Sequence, residues 1–382
     1  MRDKPLRIGF VLDDSLDTTD GVQQYVLGLG KWLERNGHEV HYLVGKTLRQ
    51  DISNIHSLGR NITVRFNRNR LSIPLPVSRR RIAAVLKREK FDVLHVQMPY
   101  SPWFAAKVIG AADPQTAVLG TFHIVPYGWI ERLGSRVLSF WLRRSLRRFD
   151  QVFCVSAAAQ QFANNVFKTQ AAILPNVVDS KLFHRVQSRV QGDASCTIVF
   201  LGRLVPRKGC RELLEALAIL RHNKFTEDRW RVLIVGGGPL EKSLKQYAQR
   251  SGLKDVTQFM GFIDEADKPD TLRAADIAVF PSLGGESFGI VLIEAMAAGA
   301  GTVIGGDNLG YRSVLGDWPE CLFDPTNTKE FADTLARFIV DVSLRKRIGK
   351  AQSRAVKQYD INRVGSQLLR NYQTVVAKRR RT

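Results

Sequence analysis

The stretch from Asp276 to Gly299, DIAVFPSLGGESFGIVLIEAMAAG, sets the tightest limit on how this chain folds. Ile277 to Phe280 is an apolar run short enough to be a strand buried on both faces. Pro281-Ser282-Leu283-Gly284-Gly285 breaks it, and a helical pattern begins near Phe288. A strand, a glycine turn and a helix start in that order belong to an open α/β sheet. There, ligands sit beyond the carboxyl ends of the strands, and the free N–H groups of a helix start attract phosphate. Glu286 and Glu294 flank the helix start. The first is placed to face a sugar and the second to reach ribose hydroxyls; read without a ligand, Glu286 is an acid favoured by the helix dipole and Glu294 a solvated face residue.

The same grammar recurs on both sides of a polar stretch, residues 185–195, which reads as an interdomain linker. Before it, the strand-like Ile8 to Leu12 leads through a polar loop, Asp13 to Asp20, to Gly21 and a helix with Val22, Val26, Leu29 and Leu33 on one face. Gly37 stops that helix, and Val40 to Val44 resumes a strand. Apolar runs at Phe91 to Val96, Ala117 to Phe122 and Val152 to Val155 alternate with helical stretches, which predicts a parallel sheet covered on both faces. No full G-x-G-x-x-G is present, so a dinucleotide fingerprint is weak. His123 closes the strand Ala117 to Phe122, where it would point into a ligand crevice or serve as a structural histidine. After the linker, Cys196 to Leu201 is a strand followed by Gly202-Arg203-Leu204-Val205-Pro206-Arg207-Lys208-Gly209, whose cations can clamp a diphosphate. Trp230 to Val235 ends in Gly236-Gly237-Gly238-Pro239. Thr257 to Phe262 leads to the loop from Ile263 to Lys268, which can flank a base.

Length and charge narrow the partners. A chain of 382 residues with 44% hydrophobic residues suffices for two cores. A formal charge of +21 points to an anionic partner: nucleic acid, a membrane surface or a phosphorylated substrate. Nucleic acid fits least, because aromatics are not interleaved with the basic residues and no nucleic-acid motif occurs. Cys154, Cys196, Cys210 and Cys321 form no CxxC pair, so neither a zinc site nor a disulfide framework is indicated and a reducing cytoplasm is expected. No run approaches the roughly 20 apolar residues of a membrane span, which predicts a soluble or peripheral protein.

Two basic segments stand out. Arg79, Arg80, Arg81, Lys87, Arg88 and Lys90 crowd around Ile82 to Leu86, after Leu71 to Val77, which reads as an apolar loop because its two prolines forbid a central strand. In the second, from Trp129 to Phe149, Arg136, Arg143 and Arg147 share one helical face and Leu138, Leu142, Leu146 and Phe149 another, with Trp129, Phe140 and Trp141 as interfacial aromatics. Each segment has the makings of a membrane-surface helix. The first is assigned to the membrane and the second to a core helix with a solvated arginine face. Helical patterns follow at roughly 328–340 and 344–357. A last helix, Asn362 to Val376, precedes a basic tail, Lys378 to Arg381, expected to be disordered.

Together, Gly285-Glu286-Ser287-Phe288-Gly289-Ile290-Val291-Leu292 with Glu294, the Gly202-Arg203 to Lys208-Gly209 loop, Phe122-His123, and Pro175-Asn176 with Asp179 resemble the retaining glycosyltransferases of family 4. Gly21-Val22-Gln23, Gly37-His38-Glu39-Val40, Asp92-Val93-Leu94-His95-Val96 and Tyr359-Asp360 are most similar to the phosphatidyl-myo-inositol mannosyltransferase subgroup. The resemblance covers nearly the whole chain. It implies the GT-B fold: two Rossmann-like α/β domains with parallel sheets facing across a deep cleft. Residues 1–182 with the returning helix 362–382 would bind acceptor, and 183–361 would bind donor.

By the same resemblance, Arg203 and Lys208 would hold the donor diphosphate, helped by the backbone at Gly21 and at Ser287, Phe288, Gly289 and Ile290. Glu286 would contact the transferred sugar, Glu294 the ribose, and Ile263 and Lys268 the base. His123 would lie at the reaction centre, and Gln23 would touch the acceptor's inositol. The implied reaction moves a hexose, mannose from GDP-mannose first, to a membrane lipid such as phosphatidyl-myo-inositol at the cytoplasmic face of the plasma membrane. No metal or other cofactor is obligatory. The alternatives are a soluble relative joining a UDP-sugar to a small sugar or inositol phosphate and, remotely, a nucleic-acid-binding protein. Three positions depart from the pattern: Asp20-Gly21 replaces a glycine pair, Asn176-Val177-Val178-Asp179 replaces Asn-Gly-Val-Asp, and Ile124-Val125-Pro126 follows His123 where small polar residues are usual.

Overall fold

A computed structural model describes residues 4–17, 20–59, 61–66, 69–74, 77–99, 101–123, 129–183, 196–223 and 230–381, with the side chains of 61–74, 129–133 and 136 outside that description. The expected linker, 185–195, and Ile124-Val125-Pro126 lie outside the described residues. The chain divides into two compact units, residues 1–177 with 361–382 and residues 178–360.

In the first unit, β1 (Arg7–Leu12), α1 (Gly21–Arg35), β2 (Glu39–Val44), β3 (Ile55–Ser57), the hairpin β4 (Asn61–Phe66) and β5 (Asn69–Pro74), α2 (Arg79–Glu89), β6 (Val93–Gln97), α3 (Ala105–Ala111), β7 (Ala117–Phe122), α4 (Trp129–Leu146), β8 (Gln151–Cys154), α5 (Ala157–Phe167) and β9 (Ala172–Ile173) follow in order. Seven parallel strands run β3-β2-β1-β6-β7-β8-β9. The order reverses between β1 and β6, the switch point at which a crevice opens in doubly wound sheets. The segment expected as a loop from Leu71 carries β5 instead. In a two-stranded antiparallel sheet both strands are edges, so Pro74 at its end costs no ladder hydrogen bond.

The second unit contains α6 (Ser180–Phe183), β10 (Cys196–Leu201), α7 (Cys210–His222), β11 (Trp230–Val235), α8 (Glu241–Arg250), β12 (Thr257–Gly261), α9 (Lys268–Arg273), β13 (Ile277–Phe280), α10 (Ile290–Ala298), β14 (Val303–Gly306), α11 (Leu309–Leu315), β15 (Leu322–Phe323), α12 (Thr328–Val340) and α13 (Val342–Ala355). Its six strands run β12-β11-β10-β13-β14-β15, with the switch point between β10 and β13. The last helix, α14 (Ile361–Arg379), belongs to the first unit.

One sequence device recurs in both units. An aspartate just before an apolar strand accepts the first free N–H groups of the neighbouring strand: Asp92 from Arg7 at 2.9 Å, Asp150 from Val118 at 2.9 Å and Asp276 from Thr197 at 2.9 Å. Each satisfies a backbone donor that the ladder has not yet reached.

Apolar side chains fill both faces of each sheet. In the first unit one core joins β1, β2, α1 and α14, and the opposite core joins Ile82, Val85 and Leu86 of α2 with α3 and the far side of the sheet. α14 approaches α1 so closely that a Cβ on Gly365 would lie 2.7 Å from the Trp32 ring, so only glycine fits there. Trp32 Nε1 donates to Asn362 Oδ1 at 2.9 Å across the same seam. The basic tail departs from the expected disorder: Arg379 Nη2 lies 2.6 Å from Asp150 Oδ1, and Arg380 Nη2 lies 2.8 Å from Asp92 Oδ1. The strand-start aspartates thus hold the end of α14 by charge.

Candidate functional site

Each unit gathers polar side chains at the carboxyl ends of its strands, and the two gatherings differ in kind. In the second unit the loops after β10 and β13 meet at the switch point. Gly209 makes this possible, with φ of 72° and a position at which a Cβ would sit 1.8 Å from the Pro281 carbonyl oxygen. No other residue allows both the left-handed backbone and that approach. The contact brings Glu286 against the cations of the β10 loop. Its Oε1 accepts from Arg207 Nη1 at 2.6 Å, Lys208 Nζ at 2.8 Å and Ser282 Oγ at 2.9 Å. Burial pushes the Glu286 carboxyl up, and the charges of Lys208 and then Arg207 more than offset it, holding the group down at about 2. Glu286 is therefore an anion at neutral pH.

A second ion cluster lies at α9 and α10. Glu294, expected as either a ribose ligand or a solvated acid, is buried at 7% exposure, so the solvated alternative fails. Its Oε1 accepts from Lys268 Nζ at 2.9 Å, and Glu265 Oε2 lies 2.8 Å from the same ammonium. Burial lowers the Lys268 pKa, but the charge of Glu294 and the bond to Glu265 raise it by more, so the lysine stays cationic. Ile263 is half-buried between β12 and this cluster in sequence, and Arg203 stands exposed at the start of the β10 loop. Phe288 is a core residue, packed edge-on to Tyr359 with centroids 5.4 Å apart, so its contribution to any anion is its backbone. Gly289 caps α10, and the first N–H groups of that helix, near Ile290, carry the positive end of the helix dipole. Ser287 is half-buried in the same turn.

At the corresponding end of the first unit, the loop after β1 carries Asp13, Asp14 and Asp17, and the side chains that close β6 and β7 are neutral. His123, just past β7, is buried, and Tyr25 of α1 packs edge-on to its ring with centroids 4.9 Å apart. His123 Nε2 lies 2.7 Å from Gln97 Oε1 at the end of β6. One strand position back, His95 bonds Tyr372 Oη of α14 at 2.6 Å and Thr121 Oγ1 at 2.7 Å. Burial pushes both histidines down to about 3, so both rings are neutral at pH 7. Gln23, the expected inositol contact, is buried, and its Nε2 donates to the Ser15 carbonyl at 3.0 Å, tying α1 to the loop after β1. Gly21 opens α1.

The basic helix α2 exposes Arg79, Arg80, Arg81, Lys87 and Arg88, with Lys90 just beyond its end, and buries Ile82, Val85 and Leu86 in the unit's core. Its apolar side is spent on folding, leaving only charge for a surface. α4 has the expected core side and solvated arginine face, with its interfacial aromatics Phe140 and Trp141 exposed. Leu142 is buried, while Val137, Phe140 and Trp141 are 58%, 70% and 80% exposed beside exposed Arg143, Arg144 and Arg147. The expected arginine face exists, but it borders an apolar surface patch.

His41, His56 and Glu89 bring three donor atoms within 4.8 Å, the one such group with metal-ligand residue types among the described residues. Its geometry favours a hydrogen bond over an ion. His41 Nδ1 and His56 Nε2 are 2.9 Å apart, in rings coplanar to 4° with centroids 5.2 Å apart, so the two nitrogens point straight at each other. Metal ligands converge at about the tetrahedral angle. Glu39 Oε1 accepts from His41 Nε2 at 2.9 Å, which leaves Nδ1 as acceptor for the His56 Nε2–H.

The sequence assigned no role to Ser282, Gln97 or Tyr25 and did not pair Arg207 with Glu286. Arg207 stood beside the expected Lys208. Nothing local marks Gln97, which matters only because β6 and β7 pair.

Residues 19–182 match the family "Glycosyltransferase Family 4" and residues 186–354 the family "Glycosyl transferases group 1". The chain is 32% identical over 377 residues to the phosphatidyl-myo-inositol mannosyltransferase of Mycobacterium leprae, covering 97% of each chain. It is also 32% identical over 327 residues to the protein of that name from Propionibacterium freudenreichii, covering 82% of this chain and 80% of the relative. Among solved structures, a glycosyltransferase from Rickettsia africae superposes with a TM-score of 0.76 at 18% identity, over 97% of this chain and 99% of that one. Sucrose-phosphate synthase from Thermosynechococcus elongatus does so with a TM-score of 0.73 at 20% identity, over 98% and 100%. These two likenesses establish the two-domain GT-B fold.

Proposed function

The chain belongs to the family 4/group 1 glycosyltransferases, and from that premise we propose that it transfers mannose from GDP-mannose to phosphatidyl-myo-inositol with retention of anomeric configuration. The observation that carries this reading is the ion cluster at the β10/β13 switch point, where Lys208 and Arg207 surround the Glu286 carboxylate. In the proposed reaction Lys208 and Arg203 bind the donor diphosphate, and the N–H groups at Ser287 to Ile290 share its charge. Charge grows on the leaving diphosphate as the glycosidic bond stretches, and fixed cations and a helix start lower the barrier where it grows. Glu286 orients the hexose, Glu294 the ribose, and Ile263 and Lys268 flank the base. Gly21 lends backbone to the phosphates and Gln23 shapes the inositol pocket. No metal or other cofactor is invoked, since lysine, arginine and the helix start supply the positive charge.

The acceptor is a lipid, and the first unit carries features suited to reaching it. No described helix is long and apolar enough to cross a membrane. We place the protein peripherally on the inner face of the plasma membrane, with Phe140 and Trp141 of α4 in the headgroup boundary and Arg79, Arg80, Arg81, Lys87, Arg88 and Lys90 supplying attraction to anionic lipid. Purified protein incubated with labelled GDP-mannose and phosphatidylinositol vesicles is expected to yield a mannosylated lipid. Labelled product from a UDP-sugar on a water-soluble acceptor, with none on lipid, would overturn the reading.

A further inference from the structure

β6 and β7 pair in parallel with Gln97 opposite Thr121, so Gln97 and His123 emerge on the same side of adjacent strand ends. Gln97 is fully buried and its carboxamide is itself oriented, because Nε2 donates to the His95 carbonyl at 3.3 Å. That leaves Oε1 as the atom 2.7 Å from His123 Nε2. A carboxamide oxygen only accepts, so the histidine must present a proton at Nε2, and a neutral imidazole then carries its lone pair on Nδ1. Tyr25, edge-on to the ring, restrains it from turning over. Nδ1 has no hydrogen-bond partner among the described residues.

We infer that Gln97 is a positioning residue that holds His123 in the Nε2–H tautomer, so that Nδ1 accepts a hydrogen bond from a hydroxyl of the bound substrate. The hydroxyl role rests on the glycosyl-transfer reading; the tautomer does not. An imidazole this weakly basic accepts a hydrogen bond without removing the proton. His123 therefore orients a sugar hydroxyl and is not the base of the reaction.

The test is nitrogen NMR of the full chain labelled at histidine, with His123→Gln identifying the resonance, beside steady-state kinetics with GDP-mannose and phosphatidylinositol vesicles. The wild type is expected to show His123 neutral and protonated at Nε2 from pH 5 to 8. Gln97→Met, which keeps the volume but cannot accept, should release the tautomer and lower kcat roughly tenfold to a hundredfold, the cost of losing a histidine's orienting partner, with the donor KM little changed. Gln97→Glu keeps an acceptor and should restore the Nε2–H tautomer while making the ring titrate at higher pH, a signature that a purely structural glutamine would not give. A wild-type His123 protonated at Nδ1, or an unchanged tautomer and kcat in Gln97→Met, would overturn the assignment. If the wild type shows the Nε2–H tautomer but transfers no sugar, the functional reading falls and takes the hydroxyl role with it, while the positioning role stands.

Discussion

The two units share one topology yet equip their strand ends in opposite ways. The second sets a carboxylate among cations, Glu286 with Arg207 and Lys208 and Glu294 with Lys268, so its chemistry is that of fixed charge. The first, at the ends of β6 and β7, sets neutral groups in a chain, His123 to Gln97 and His95 to Thr121 and Tyr372, so the chemistry there is that of hydrogen-bond direction. Under the proposed function, similar backbones would suit one end to a diphosphate and the other to hydroxyls. Four outcomes would break or sharpen that contrast.

The largest effect is expected at Glu286. Glu286→Ala removes the carboxylate between two cations whose side chains are only 11% and 22% exposed, and breaking such a pair typically costs about 3 kcal/mol or more. Chemical denaturation should show the loss, and transfer should fall by roughly a hundredfold. An unchanged midpoint would show that the cluster is solvated and the contrast overstated.

Next comes the surface of the first unit. Phe140→Ser with Trp141→Ser removes two exposed apolar side chains and should weaken cosedimentation with anionic vesicles by at least about a hundredfold, since burying each such side chain contributes roughly 1.5–3 kcal/mol. The soluble protein's stability should hardly change. Neutralising Arg79, Arg80 and Arg81 to Gln should cost less per residue, about 1 kcal/mol each, and that part should vanish at high salt.

Acid should also distinguish the units. Burial holds His95 and His123 down to about 3, below the ordinary 6.5, so the unfolded chain binds their protons first. Their contribution is complete above pH 6.5 and is lost as pH falls toward 3. Each gives a slope of about 1.4 kcal/mol per pH unit in that window. Asp13, held up near 7 by burial, has the opposite sign there and offsets one of them. Glu286 stays ionised when folded, so its contribution is present above pH 4.5 and is lost only as pH falls toward about 2. Calorimetry at pH 7 and pH 5 should therefore lower the transition of the first unit more than that of the second. Equal shifts would contradict the neutral-histidine description.

The smallest effect is expected at the end of α14. Arg379→Ala and Arg380→Ala each remove a part-exposed ion pair and should cost at most about 1 kcal/mol in thermal stability.

The same contrast explains what could be read in advance. The second unit's candidate site could be picked out because its parts are contiguous: Glu286 to Glu294 and Arg203 to Lys208 are short runs whose residue types suggest charge chemistry. Strands and parallel sheets were legible from apolar runs broken by glycine. In the first unit Gly21, Gln23 and His123 could be singled out, but not Gln97 and Tyr25, which meet His123 through strand pairing and helix packing, or Tyr372, which meets His95, over separations that no local pattern encodes. The two basic helices, α2 and α4, were legible only in part, for a related reason. Periodicity shows that a helix has an apolar side, but whether that side meets the sheet or the solvent depends on partners elsewhere in the chain. The tail from Lys378 looked disordered because the aspartates that hold it, Asp92 and Asp150, lie more than two hundred residues away in sequence.

The central claim is that the cations of the β10 loop bind a nucleotide diphosphate, and isothermal titration of GDP into the wild type and into Lys208→Ala tests it most directly. The account predicts saturable binding to the wild type, weakened at least tenfold in the variant with the heat of the complex correspondingly reduced. Equal GDP affinity in the two proteins, or no nucleoside diphosphate bound by the wild type at all, would contradict it.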